Sequence, residues 1–177
     1  DGTVTAGGDF EAELSEFVSG DAVDNIDLTN AWDSAVTANP TANVTITNDP
    51  LSTALEIASL NLIANDDTHV DADGNGSTIT ATVEADLATI DGNSLGTDAS
   101  DTIAISITGA LDADDIDAVN TIKGKTAGVV TISDGITASA TELADLDTDS
   151  DDDVVMTASS VDETVEGSIA LAALTNS

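Results

Sequence analysis

The chain contains no cysteine and no arginine, and its 177 residues include only two lysines and three aromatic side chains. The absence of cysteine excludes disulfide frameworks and thiol chemistry. The scarcity of basic residues excludes nucleic acid and anionic membrane surfaces as partners, because both are recognised through basic patches. No apolar run approaches the roughly 18 residues of a membrane-spanning helix, so the sequence predicts no membrane insertion.

Acidic residues dominate the charged positions, since 35 Asp and Glu give a formal net charge of −33. A charge of this size is typical of disordered chains when hydrophobicity is low, whereas 41% of these residues are hydrophobic and fall in patterned runs. We therefore predict a folded chain with an aliphatic core. Self-repulsion destabilises such a compact state unless cations bind or screen the carboxylates, which predicts dependence on calcium or on high salt.

An internal repeat organises the chain. The segment from Val44 to Leu60 aligns without gaps with the segment from Val130 to Leu146. Upstream, Val18-Ser19-Gly20 matches Ile107-Thr108-Gly109. The repeat predicts two related units of similar length.

The two predicted modules, residues 1–91 with an extended N-terminal strand and residues 92–177, share one order of elements. Predicted strands, such as Leu14 to Val18 and the alternating Thr102 to Thr108, are separated by short helical segments, of which Asp112 to Ile122 is the clearest. We predict a mainly β fold of two β-rich, sandwich-like repeat modules. Stacked, solenoid-like coils are the alternative.

The first candidate calcium site is a loop around Gly76. Ligand-type residues occupy alternate positions there, as in the first half of a calcium loop: Asp71, Asp73, Asn75 and Ser77. Thr82 stands where such a loop normally has its bidentate Glu, and Glu84 follows two residues later. A solvated turn is the alternative interpretation.

The second candidate calcium site is a run of acidic residues late in the chain. Its proposed ligands also alternate: Asp147, Asp149, Asp151 and Asp153. Carboxylates this close together repel one another unless a hard cation bridges them or water screens them. A solvated loop is an equally good interpretation.

One motif suggests catalysis, and its context argues against it. Gly92-Asn93-Ser94-Leu95-Gly96 has the spacing of the nucleophile elbow of serine hydrolases. That chemistry needs a helix after the serine and a histidine downstream, whereas a predicted strand follows and the one histidine, His69, lies upstream. We predict that the chain is not an enzyme.

Three segments of the second module carry a resemblance to a known class: Asp112 to Ile122, Gly128 to Gly135 and Thr141 to Leu146. Together they resemble the tandem repeats of large, acidic, calcium-associated bacterial surface proteins, the type-I-secreted adhesins and surface-layer proteins. The glycine-rich calcium-binding nonapeptide of that group is missing. The resemblance implies an extracellular structural or adhesive role without catalysis. We predict a secreted or cell-surface subunit of a surface layer, adhesin stalk or filament that is stabilised by calcium, works in a saline environment and self-associates with like subunits. A calcium-dependent carbohydrate-binding adhesin domain, with surface glycans as partners, is the alternative.

Overall fold

The computed structural model of the chain describes residues 9–48, 50–66, 78–92 and 95–160. Its strands are β1 (Phe10–Ala12), β2 (Val18–Gly20), β3 (Ile26–Leu28), β4 (Val44–Ile46), β5 (Ile79–Asp86), β6 (Thr102–Thr108), β7 (Leu111–Asp112), β8 (Val130–Ser139) and β9 (Asp153–Ser160). Its α-helices are α1 (Leu14–Phe17), α2 (Asn30–Ala38), α3 (Ala54–Ala64), α4 (Leu87–Gly92), α5 (Ile116–Lys123) and α6 (Ala140–Leu143). Two 3₁₀ turns cover Val23–Asn25 and Ala113–Asp115.

Seven of these strands form one sheet in which every pairing is parallel. The order across the sheet is β1-β4-β5-β6-β8-β9, and it follows the order of the sequence. The long strand β8 pairs with β9 along one edge and shares its other edge between β6 and β7. Strands β2 and β3 form a separate antiparallel pair.

The predicted mainly β, sandwich-like or solenoid-like fold is therefore wrong, because the chain is a mixed α/β protein with a Rossmann-like alternation of strands and helices. Alternation of apolar and polar residues identifies a strand with one buried face but does not reveal the direction of its neighbour. The connections decide the direction. Helix α3 lies between β4 and β5, and helix α5 between β6 and β8, and parallel strands require crossovers of this kind.

One face of the sheet carries the core. In β6, Ile103, Ile105 and Ile107 are buried, whereas the alternate residues are half-exposed or exposed. Strand β5 follows the same pattern. The helices contribute apolar residues to the same buried cluster, among them Ile57 and Val119. Parallel sheets are usually covered on both faces, so the polar face that the described chain leaves uncovered distinguishes this sheet.

The aromatic residues cluster at the start of the chain. Phe10, Phe17 and Trp32 are each no more than 2% exposed, and both phenylalanine rings meet the indole edge-on. Phe17 comes from α1, where the sequence pattern predicted a strand from Leu14 to Val18. That prediction is wrong because Leu14 and Phe17 are both buried at helical spacing, and the strand β2 begins only at Val18.

Other predicted elements are confirmed. The strand from Thr102 to Thr108 has the expected bounds. The helical segment predicted from Asp112 to Ile122 is present as the 3₁₀ turn and α5, and its apolar residues Ile116, Val119 and Ile122 are buried.

The residues aligned by the repeat occupy matching places. Val44 begins β4 and Val130 begins β8. Thr53 and Ser139, which align with each other, are the N-caps of α3 and α6 and close capping boxes with Glu56 and Glu142. In the sheet, the strand beside β4 that corresponds to β6 is β1, not β2, so the upstream match at Gly20 and Gly109 does not mark equivalent strands.

The sheet crosses the predicted module boundary without interruption. Strands β5 and β6, on either side of residues 91 and 92, pair over seven residues. Division into modules 1–91 and 92–177 stays a prediction. Among the described residues, no helix combines the length and apolar character that a membrane crossing requires.

Candidate functional site

Side-chain oxygens link neighbouring strands along the amino edge of the sheet. At each junction, a side chain that precedes one strand accepts a hydrogen bond from a backbone N–H at or beside the start of a neighbouring strand. In the pairs below, the donor is given first. The pairs are Asn43 to Asp9 (3.0 Å), Thr78 to Asn43 (3.1 Å), Ile79 to Asp101 (2.7 Å), Ile103 to Thr126 (2.9 Å) and Val130 to Asp152 (2.8 Å). We call these acceptors the amino-edge clamps. They satisfy donors that the ladder leaves unpaired and fix the register of adjacent strands.

Two of the clamps belong to one repeated turn. Asp101 accepts from the backbone of Asp98 (3.0 Å), and Asp152 accepts from the backbone of Asp149 (2.9 Å). Asp98 in turn accepts from Ser100 (2.7 Å), as Asp149 does from Asp151 (3.0 Å). The sequence spacing Thr-Asp-x-x-Asp before an alternating strand thus encodes a self-bonded turn whose last carboxylate reaches the neighbouring strand.

A lysine closes the second of these turns. Lys123, in the last turn of α5, donates from Nζ to Asp149 Oδ2 (2.7 Å) and to Asp152 Oδ1 (3.0 Å). The Asp152 side chain is 1% exposed and that of Asp149 is 56% exposed. Burial opposes the charge on Lys123, but hydrogen bonds to the two carboxylates outweigh it and raise the pKa of Lys123. The hydrogen bond from Lys123 is the largest cause of the lowered pKa of Asp149.

The predicted metal ligands are dispersed over the fold where the structure describes them. Asp71, Asp73, Asn75 and Ser77 lie outside the described residues. Glu84 is exposed on the polar face of β5, opposite Ser106. Asp153 begins β9 in the same cross-sheet row, three strands away, which corresponds to about 14 Å at the usual strand spacing.

The second acidic run, residues 147–153, makes hydrogen bonds and an ion pair that support the fold. Asp149 binds Lys123 and the turn backbone, and the Asp147 N–H donates to Asn120 Oδ1 (2.7 Å). Asp151 and Asp153 are exposed. Within residues 9–48, 50–66, 78–92 and 95–160, no three His, Cys, Asp or Glu side chains are grouped to hold a metal. A calcium role for this run and for the loop around Gly76 stays a prediction.

A cleft of about 540 Å³ opens at the carboxyl ends of β5 and β6. Three carboxylates line it: Asp86, Asp114 and Asp115. Asp86 accepts from Thr89 at the start of α4, and these hydrogen bonds, led by the threonine side chain, lower the pKa of Asp86. Asp115 closes a capping box with Asp112, which stabilises the 3₁₀ turn Ala113–Asp115 that leads into α5.

Sequence reasoning missed the residues that organise this edge. Asp101, Asp152 and Lys123 were not among the candidates, although Thr97-Asp98 and Thr148-Asp149 precede the clamps at the same spacing. That repeated spacing, followed by alternating apolar residues, was the available signal. The serine-hydrolase spacing at Ser94 and the isolated His69 lie outside the described residues.

Comparison of the chain with protein-family models, with curated proteins and with solved structures gave no match.

Proposed function

We propose that this chain is an extracellular structural or adhesive module: a subunit of a surface layer, an adhesin stalk or a filament, stabilised by calcium or high salt. The observation that carries the proposal is the way the chain joins its own halves. Strand β5 of the first half pairs in parallel with β6 of the second, so that one sheet grows by repeating one kind of contact. Repeat proteins gain length and mechanical continuity in this way.

The architecture favours an extended structural sheet over a sheet that encloses a ligand-binding crevice. Strand order follows the sequence, and among the described residues the order nowhere reverses to form the crevice in which doubly wound sheets bind ligands. The clamps Asp9 and Asp152 sit at the two outermost junctions, so the register is fixed out to both ends of the sheet. A rigid sheet whose strand register is fixed at both ends is suited to transmit mechanical force along an assembly.

The excess of negative charge supports the proposal that the protein works in a saline environment rich in cations. Lys123 pairs with two aspartates, but two lysines cannot balance 35 acidic residues. The remaining repulsion needs screening ions or bound divalent cations, and calcium prefers the carboxylate oxygens that this chain offers. Seawater or brine outside a cell supplies both kinds of cation.

The test is the assembly state of the purified chain. Sedimentation velocity and negative-stain electron microscopy are carried out at low and high salt, with calcium, with magnesium or with chelator. We expect ordered assemblies with calcium that dissociate in chelator at low salt, together with a higher melting temperature in calcium. Magnesium separates calcium binding from general divalent screening. A chain that is monomeric under every condition contradicts the proposal.

A further inference from the structure

The junction between the two halves of the sheet is an extensive contact. Strands β5 and β6 pair in parallel over seven residues, from Thr80 opposite Thr102 to Asp86 opposite Thr108. Asp101, 6% exposed, clamps this junction through the Ile79 N–H. The contact joins the last strand of one half to the first strand of the other.

The two halves present the same three strands in the same order. Repeat alignment makes β8 the counterpart of β4, and the pairings then make β6 the counterpart of β1 and β9 the counterpart of β5. The ladder is interrupted in both halves: beyond its first pairs, β4 resumes contact with β5 at Leu51 and Val83, and β8 resumes contact with β9 at Ile136 and Met156, one residue before the position that the ungapped alignment matches to Leu51. The β5–β6 junction is therefore a contact between consecutive units.

Within the described residues, strand β9 has no strand in the place where its counterpart β5 has β6. The inward residues of β5, Ala81 and Val83, are buried beneath the β5–β6 junction. The corresponding residues of β9, Val154 and Met156, remain only partly buried, and Val155 is 49% exposed. In the part of the chain that the structure describes, β9 pairs with β8 alone.

We propose that β9 pairs in parallel with β1 of a second copy of this chain, repeating the β5–β6 junction between molecules. The internal junction fixes the register, which places Thr157 opposite Glu11 of the second copy, as Glu84 stands opposite Ser106 within the chain. The contact joins different surfaces of the two copies, so a two-fold dimer does not satisfy it and it continues from copy to copy, as a filament or a ring. This inference rests on the proposed assembly function and names its contact surface.

The cysteine-free sequence makes the register testable by cross-linking. The Glu11→Cys/Thr157→Cys chain is oxidised under assembly conditions and separated on a denaturing gel. Paired residues on adjacent strands lie within disulfide range, about 4.4–6.8 Å between Cα atoms. Within one molecule, β1 and β9 are five strand spacings apart, about 24 Å, so any bridge joins two molecules.

The matched control is Glu11→Cys/Ser159→Cys, which moves one cysteine two residues along β9 to another exposed position. We expect a ladder of oligomers from the Thr157 pair and several-fold less from the Ser159 pair, because the shifted cysteines exceed disulfide range. Melting of the reduced variants verifies that both are folded.

Two outcomes overturn the inference, and they differ in what they say about function. Assembly of the parent chain without preferential cross-linking of the Thr157 pair contradicts the β9–β1 contact but leaves the assembly function standing. A parent chain that stays monomeric in every salt and calcium condition contradicts both.

Discussion

Replacing Lys123 with methionine tests the electrostatic arrangement at the amino edge of the sheet. Methionine keeps an unbranched apolar stem of similar length, so the packing of the lysine stem is largely retained while its charge is lost. The substitution leaves the Asp152 carboxylate, 1% exposed, without its cation beside the partly exposed carboxylate of Asp149. The fold should survive because the Asp152 oxygens keep their hydrogen bonds from Val130 and Asp149.

The expected cost follows from burial and the remaining partners. Breaking a buried ion pair typically costs about 3–5 kcal/mol. Two amide donors still satisfy Asp152, and Asp149 is 56% exposed and therefore screened by solvent, so the cost should fall to about 2–3 kcal/mol. For a chain of this length, that loss lowers the melting temperature by about 4–12 °C.

Urea unfolding of Lys123→Met measures this cost, with Lys125→Met as the matched control because Lys125 makes no ion pair among the described residues. Folding raises the pKa of Lys123, so the interactions of its charged form are lost only as the pH rises through that pKa. Folding lowers the pKa of Asp149, so the interactions of its carboxylate are lost only as the pH falls through that pKa. The cost should therefore be constant between about pH 5 and 9. A cost under about 0.5 kcal/mol, or equal costs for both lysines, would refute the reasoning.

Three further predictions concern the clamps, a glycine and a helix cap. Asp101→Ala leaves the buried Ile79 N–H without its acceptor and should lower the free energy of unfolding, measured in urea, by about 2–3 kcal/mol. Asp9→Ala, at an exposed clamp, should lower it by under about 1 kcal/mol. Equal losses would contradict the role of burial. Gly128→Ala places a Cβ 2.2 Å from the Ile103 carbonyl oxygen and should cost about 1–3 kcal/mol, while Gly124→Ala meets its nearest atom at 3.5 Å and should be neutral or slightly stabilising. Ser139→Ala should cost about 1 kcal/mol through the lost N-cap. Hydrogen bonds from Ser139 lower the pKa of Glu142, so the Glu142 carboxylate stabilises the fold at neutral pH and this stabilisation is lost as the pH falls through that pKa. Glu142→Gln should therefore reduce the decrease in unfolding free energy between neutral and acidic pH.

Local patterns in this sequence predicted local structure well. The stripe formed by Ile116, Val119 and Ile122 identified α5, because helical spacing and burial coincide there. Alternation identified β6, and the turn residues around it were consistent with its ends. The capping boxes at Thr53 and Ser139 have the usual Ser/Thr-x-x-Glu spacing and could have been found in the same way.

The sheet could not be predicted from alternation alone, because parallel and antiparallel strands with one buried face share the same period. Parallel sheets usually consist of apolar runs covered on both faces, whereas Thr- and Ser-rich alternation is typical of antiparallel sheets and led to the prediction of sandwich-like modules. The polar face of β5 and β6, which the described part of the chain leaves uncovered, is the physical reason for the error. The candidate ligands Asp149 and Asp151 were difficult to interpret for a second reason. A run of aspartates has the same sequence whether its carboxylates bind ions or accept hydrogen bonds from their own backbone.

The clamps separate two roles of the acidic residues, one as hydrogen-bond acceptors and one as charges. A backbone amide satisfies a carboxylate oxygen but carries no net charge, so a clamped aspartate still adds to the repulsion across the molecule. Asn43 shows that an uncharged amide oxygen can serve as a clamp. Asp9→Asn should therefore keep the hydrogen bond from the Asn43 N–H while removing one negative charge. We expect this variant to be at least as stable as the parent at low salt and equal to it in about 1 M salt, where screening shortens to about 3 Å. If Asp9→Asn instead lost as much stability as Asp9→Ala at both salt concentrations, the carboxylate charge itself would be required at this edge.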